Sequence, residues 1–254
     1  KDNLVFHTLF WPGELYGYDE KIHLPDKLFV NQFLNLEGQK FSKSRGVTID
    51  SKYIVRTYGL DSVRFYLTAI APESADTNFT WDDFATKVND VLIGNFGNFV
   101  NRTLTLAQGL KSFNADDLDS DVKHRVEKAF TEAIKNLGDG NFRNYTETFL
   151  KLSDFGNKYL SDKEPWKTKK INPEDFRKTV TNALFVVLGL QFISAPLLPD
   201  TSQEIGERLG LSEVKIWPKN KILDELAKVF AKIKIKEARP LFKKIEDDAL
   251  QIEK

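Results

Sequence analysis

From Thr80 onward the chain keeps an apolar rhythm that only a helix can bury. In "TWDDFATKVNDVLIGNFGNFVNRTLTL" the residues Phe84, Val88, Val91, Leu92 and Phe99 fall on one stripe, opened by Thr80 with Asp83 three residues on as a capping pair. Helical patterns follow over 119–138, 144–161, 173–196 and 199–208, joined by "GDGN", "KEPWKTKKINP" and "PLLPD". Helices of this length with short joints pack as antiparallel neighbours around a shared core, so this part of the chain reads as an antiparallel helical bundle. After Trp217, "KILDELAKVFAKIKIKEARPLFKKIEDDALQIEK" predicts a linker helix and a closing helix around Pro240.

The first seventy residues are of another kind. Apolar runs are short and separated by turns: "NLVFH" (3–7) and "KLFVNQFLNL" (27–36) read as strands, and 50–59 and 61–70 as short helices capped by Asp. This α/β piece is too small for a complete parallel-sheet domain, and a part on its N-terminal side is expected to be missing. The expected organisation is mainly α: an α/β piece over 1–75, a helical domain over 76–218, and a linker with a closing helix over 219–254.

Composition excludes several function classes. Acidic and basic residues balance at 37 each, which argues against coating nucleic acid by bulk charge, and no DNA partner is expected. A local basic site is still allowed. There is no cysteine, and the three histidines His7, His23 and His124 form no close pair, so no metal site is expected. No apolar run reaches the length of a membrane span and no segment resembles a signal peptide, so a soluble, cytoplasmic chain is expected. Methionine is absent and the chain opens at Lys1, so residues upstream are expected to be missing.

The stretch "LEGQKFSKSRGVTID" (36–50) sets two lysines three residues apart, interleaved with two serines, between two glycines. Read alone, it is a solvated basic loop or a mobile loop that clamps polyphosphate. "KFSKS" resembles the signature loop of class I aminoacyl-tRNA synthetases, with Phe41 where Met is usual. Three further stretches resemble methionyl-tRNA synthetases in particular: "KDNLVFHTLFWP" (1–12) their amino-acid pocket segment, "WDDFATKVNDVLIGNFGNFVNR" (81–102) their first anticodon-domain helix, and "DKEPW" (162–166) their anticodon-contacting turn. The resemblance covers nearly the whole chain. The family's His-x-Gly-His motif and its cysteine-rich metal-bearing insertion are absent from these 254 residues. The resemblance therefore implies the C-terminal remnant of a Rossmann-type catalytic domain followed by the helical anticodon-binding domain. It also implies an N-terminal half, or alpha subunit, as a partner without which the chain is inactive.

What the resemblance implies for single residues follows from the family reaction, in which methionine and ATP (with Mg2+) give an adenylate and pyrophosphate before transfer to tRNA(Met). Charge spreads over phosphate oxygens in the transition state, so positioning and positive charge do most of the catalysis. Lys43 carries the largest share, with Lys40 as its partner. Ser42 and Ser44 donate hydroxyl hydrogen bonds, Phe41 is an apolar anchor, and Gly38 and Gly46 let the loop swing. Asp2, His7 and Trp11, with Phe10 beside them, carry the resemblance to the methionine pocket, which should be apolar and aromatic with a few polar fixtures. As alternatives, Phe10 and Trp11 are core aromatics and Asp2 a cap. Asn98 and Arg102 stand four residues apart, about 40° around a helix and one turn along. There they read unstacked base edges while Trp166, held by Pro165, stacks on one. As alternatives, the pair makes a surface hydrogen bond and Trp166 closes the bundle. Three other functions compete: a non-catalytic tRNA-binding or assembly module, a sister ligase for Leu, Ile, Val or Cys, and a helical scaffold. The intact loop, the "FHTLFWP" and "NFGNFVNR" stretches, and Trp166 argue against these in turn.

Overall fold

In the computed structural model, which describes residues 1–211, 217 and 221–251, the bundle forms around one helix. That helix, α9 (Pro173–Ser194), is buried at every residue from Thr179 to Ser194. A helix apolar on all sides belongs at the centre of a domain. It starts at Pro173, with the Asn172 side chain accepting from the Asp175 N–H at 3.2 Å. Against α9 pack α5 (Asn98–Ala107), α6 (Ser120–Gly138), α7 (Phe142–Lys163), α8 (Pro165–Ile171) and α10 (Pro199–Arg208). The helices read from the sequence over 119–138, 144–161, 173–196 and 199–208 are thus present. The joint read over "KEPWKTKKINP" contains α8, because Pro165 at its first position presets the helical φ.

The long helix after Thr80 has an unusual build. It runs from α4 (Trp81–Thr86) through wide, π-type turns over Lys87–Gly97 into α5. Its buried residues recur at every fourth position: Phe84, Val88, Leu92, Phe96, Val100 and Leu104, all at 0 % exposure. On a regular α-helix each four-residue step drifts by about 40°, so five steps would carry the stripe about 200° around the axis. Turns that hold more residues offset that drift and keep the stripe facing the core. Val91, placed on the stripe by sequence, is half-buried. Asp83 accepts from the Tyr66 hydroxyl at 2.8 Å and from Lys87 Nζ at 2.6 Å.

α2 (Ser51–Tyr58) is capped by Asp50, which accepts from the Tyr53 N–H at 2.7 Å. Asp61, expected to cap α3 (Leu60–Ala69), instead accepts from the Thr201 N–H at 2.6 Å at the start of α10. Three residues on, Arg64 donates to the carbonyls of Pro196 and Leu197, each at 2.8 Å. One face of α3 thereby fastens the α9–α10 joint. Beyond α11 (Ile222–Phe230) the chain is irregular to Glu246, then forms the short α12 (Asp247–Gln251). The closing helix expected around Pro240 is therefore corrected to an extended strap. Its backbone has partners elsewhere: Arg208, buried, bonds the carbonyls of Arg239 and Pro240 as well as Glu204, and Asn89 bonds both N–H and C=O of Ile245 at 2.9 and 2.8 Å. Phe242 packs where a Cβ on Gly97 would lie 3.2 Å from its ring. The boundary expected at 218/219 lies outside the described residues.

By contacts, residues 49–69 group with the chain from Trp81 onward, although on sequence they went with the α/β piece; residues 1–48 and 70–80 form a second unit. That unit holds a three-stranded sheet in the order β2-β1-β3: β1 (Leu34–Leu36) pairs antiparallel with β2 (Gln39–Lys40) and parallel with β3 (Thr77–Phe79). Glu37 and Gly38, at φ 47° and 76°, make the two-residue hairpin turn, a conformation that glycine adopts freely. The strand expected over 27–36 thus shrinks to its last three residues. The strand expected over 3–7 is helical: wide turns at Phe6–Phe10 lead into α1 (Trp11–Tyr18), and Thr8 Oγ1 bonds the Leu4 carbonyl at 2.9 Å. A five-residue apolar run cannot tell the two states apart by period.

Candidate functional site

The lysine–serine loop is built on the sheet. Lys40 closes β2 opposite Asn35, and Asn78 of β3 accepts from the Gly38 N–H at 2.8 Å behind it. Phe41 leaves the sheet 43 % exposed, so it points largely to solvent instead of anchoring in a core. Ser42 and Val47 exchange backbone hydrogen bonds at 2.9 and 3.0 Å, pinching the loop. Between them Lys43–Arg45 forms one 3₁₀ turn, closed by Gly46 at φ 72°. Ser42 Oγ and Ser44 Oγ stand 3.2 Å apart, and Arg45 reaches the Lys40 carbonyl at 3.5 Å. Lys43 heads the turn, exposed and without an ion-pair partner among the described residues. Two hydroxyls and an ammonium without an ion-pair partner on one short turn have the chemistry to bind an anion.

The N-terminal residues lie along one helical segment. His7 and Trp11 are one turn apart, so they share a face, and the Phe10 ring lies tilted against that of Phe6, 5.4 Å between centres. His7 Nδ1 is 2.8 Å from the Asn3 carbonyl, which fixes the ring and leaves Nε2 free to bond elsewhere. Phe10 and Trp11 are 53 % and 47 % exposed, so neither is a core aromatic here. Asp2 sits exposed in the first turn of the chain.

In the helical unit the structure joins residues distant in sequence. The Arg102 guanidinium lies 5.4 Å from the centre of the Trp166 ring. Glu164, at φ 43°, breaks α7 from α8, and buried Pro165 wedges the break, so Trp166 emerges 46 % exposed at the first turn of α8. Asn98 is exposed one turn before Arg102 at the start of α5. One further turn back, Asn95 donates to Asp154 at 2.7 Å and accepts from Ser153 and Asn157, each at 2.9 Å. That network fixes the start of α5 against α7. Sequence reasoning missed it, because its members mark no local motif.

Two clefts flank these helices. One of about 510 Å³, lined by Arg56, Tyr58, Asp61, Asp200 and Lys243 among others, holds none of the candidate catalytic or binding residues. The other, about 340 Å³, lies between Gly94, Gly97 and Asn98 on the wide helix and Phe242 on the strap. Among the described residues no group of three His, Cys, Asp or Glu side chains could hold a metal ion, and no helix is long and apolar enough to cross a membrane.

Residues 1–104 match the family model for class I tRNA synthetases (M), and residues 110–253 match that for the anticodon binding domain of methionyl tRNA ligase. Among curated proteins, the methionine–tRNA ligase of Thermococcus kodakarensis is 36 % identical over 261 residues, covering 97 % of this chain and 34 % of the relative. That of Bacillus mycoides is 30 % identical, covering 93 % and 44 %. The chain thus spans about a third to under a half of the length of these relatives. A solved Mycobacterium tuberculosis methionyl-tRNA synthetase in complex with methionyl-adenylate shares the fold, with a TM-score of 0.76 at 22 % identity over 95 % of this chain and 48 % of that one. Since the anticodon-domain model alone takes in more than half of its residues, the chain belongs to the methionyl-tRNA synthetase family.

Proposed function

We propose that the chain is the part of a methionine–tRNA ligase that supplies the polyphosphate-binding loop and reads the anticodon. The observation that carries this reading is the Arg102–Trp166 pair, two residues of separate motifs brought together, the half-buried guanidinium over the exposed ring. A guanidinium on one face of an indole leaves the rest of the ring for a base, and both groups are of the kind that holds unstacked bases. Asn98 and Arg102 take the base edges of the tRNA(Met) anticodon, and Pro165 sets the angle of Trp166. In the loop, Lys43 and Lys40 meet the charge that develops as ATP, arriving with Mg2+, loses pyrophosphate to the methionine carboxylate. Ser42 and Ser44 add hydrogen bonds and Phe41 flanks them. His7 and Trp11, with Asp2 near by, line the side of the methionine.

The functional boundaries follow the same reading: 1–75 completes a catalytic domain, 76–218 binds the anticodon, and 219–254 straps the bundle. His-x-Gly-His, absent from these residues, comes from an N-terminal half or alpha subunit, and the chain by itself catalyses no activation. The exposed apolar run of Leu4, Val5, Phe6, Leu9, Phe10 and Trp11 is the surface on which that half packs. The test is methionine-dependent ATP–pyrophosphate exchange, with and without the N-terminal half of a family member, alongside tRNA(Met) binding. Exchange only in the mixture, with tRNA binding by the chain, is expected. Exchange by the chain alone would remove the need for a partner. Binding of tRNA with no exchange in the mixture would make it a non-catalytic tRNA-binding module.

A further inference from the structure

Lys40 and Lys43 sit three residues apart yet are held in opposite ways. Lys40 is the last residue of β2, in register with Asn35. Its ammonium lies 5.4 Å from the centre of the Phe33 ring. Phe33 is two residues before Asn35, hence on the same face of the sheet and diagonal to Lys40, within reach of a long side chain. Phe33 is in turn fixed by its backbone. Its N–H donates to Asp76 Oδ1 at 3.0 Å, and its carbonyl accepts from the Thr77 N–H at 2.9 Å. Lys1 Nζ bonds the same Asp76 oxygen at 3.1 Å and lies 4.6 Å from the ring. The Phe33 N–H, then Lys1 and, least, the charge of Lys40 itself hold the Asp76 carboxyl below its ordinary value, so Asp76 also draws Lys40 towards Phe33 without a hydrogen bond to it. Lys43 has no comparable support: it heads a 3₁₀ turn in solvent.

We propose that Phe33, fixed by Asp76, is a positioning residue that holds Lys40 as the stationary half of the polyphosphate clamp, with Lys43 as the moving half. This rests on the reading of the loop as such a clamp. A ring suits the task better than a carboxylate. Attraction to the ring face orients the ammonium without neutralising its charge, and leaves N–H donors free for phosphate oxygens. A carboxylate at the same place would compete with the phosphate for the same charge. The substrate it serves is the triphosphate of ATP, or pyrophosphate in the reverse direction.

Two measurements test this. In proton–carbon spectra of the full chain with labelled lysines, the Lys40 Cε protons should lie upfield in the ring current of Phe33. Phe33→Leu should abolish that shift and Phe33→Trp keep it. In pyrophosphate exchange by the chain completed with an N-terminal half, Phe33→Leu should lower kcat/KM for ATP about two- to five-fold. Phe33→Trp should restore it. The loss should vanish in a Lys40→Ala background and persist in a Lys43→Ala background. An equal loss in the Lys40→Ala background would make Phe33 merely structural and overturn the proposal, as would an unshifted Lys40 resonance. If the unsubstituted mixture shows no exchange while the shift is present, the clamp reading fails and not the geometry.

Discussion

Lys43 stands exposed at the head of a tight turn, with no ion-pair partner among the described residues. In the proposed clamp a group so placed meets charge as it forms, so Lys43→Ala should lower the exchange rate and leave methionine affinity nearly unchanged. Loss of one such donor typically costs about 2.7–4 kcal/mol, or two to three decades in rate. A pyrophosphate-exchange series over methionine concentration measures both. Trp166→Ala and Arg102→Ala should weaken tRNA(Met) binding while adenylate formation stays as it was. Stacking is worth roughly 1–3 kcal/mol per base, so about tenfold or more in affinity is expected for Trp166→Ala. For Arg102→Ala, filter binding with anticodon-substituted tRNAs should also show relaxed discrimination. As candidates, these residues were legible in the sequence because each sits in a motif. The approach of Arg102 to Trp166 was not, since no local pattern brings residue 102 to residue 166. Phe33 could not be found that way. Its link to Lys40 depends on strand register, and the strand itself is three residues long.

Among the elements, long periodic helices were plain from the sequence, because burial of one face repeats at a fixed interval. Short ones were not. Residues 3–10 are too few to show a period, and α8 is marked by a single proline at its first turn. Asp61 shows the same limit from another side: an Asp before an apolar run reads as the cap of its own helix, yet it caps α10, 140 residues away. Its burial raises the carboxyl above the ordinary value of 3.8, against hydrogen bonds from Thr201 that lower it. A raised folded value means that ionised Asp61 disfavours the native state. That contribution is most favourable below pH 3.8 and declines as pH rises through the folded value. Asp61→Asn keeps an acceptor for the Thr201 N–H and removes the buried charge. At pH 7 it should be at least as stable as the parent in urea, with the advantage shrinking as pH falls towards 4. Helix packing gives a firmer case. A Cβ on Gly156 of α7 would lie 2.3 Å from Cζ of Phe99 on α5, itself fully buried. Gly156→Ala should therefore cost about 1–3 kcal/mol, seen as a lower urea midpoint with an unchanged slope.

Across the whole molecule, apolar burial is uneven. The helical unit has α9 sealed over Thr179–Ser194, whereas residues 4–18 leave Leu4, Val5, Phe6, Leu9, Phe10, Trp11, Tyr16 and Tyr18 exposed. Opening free energies follow local burial, so hydrogen exchange should be slowest in α9 and fastest in the 6–18 segment. Equal protection in the two would contradict this. Addition of an N-terminal half should slow exchange in the second segment alone. The wide turns over Lys87–Gly97 have a consequence of a different sort. They set the phase between two surfaces on one rod: the buried stripe that starts at Phe84 and the Asn98–Arg102 face after them. Losing a single residue there would rotate everything beyond it by about 100°. Arg102 would then turn away from Trp166 although no residue of that pair had been touched. On the proposed reading, the length of this segment thus determines anticodon reading as much as the side chains themselves do, and a change in its length should act like a change in specificity.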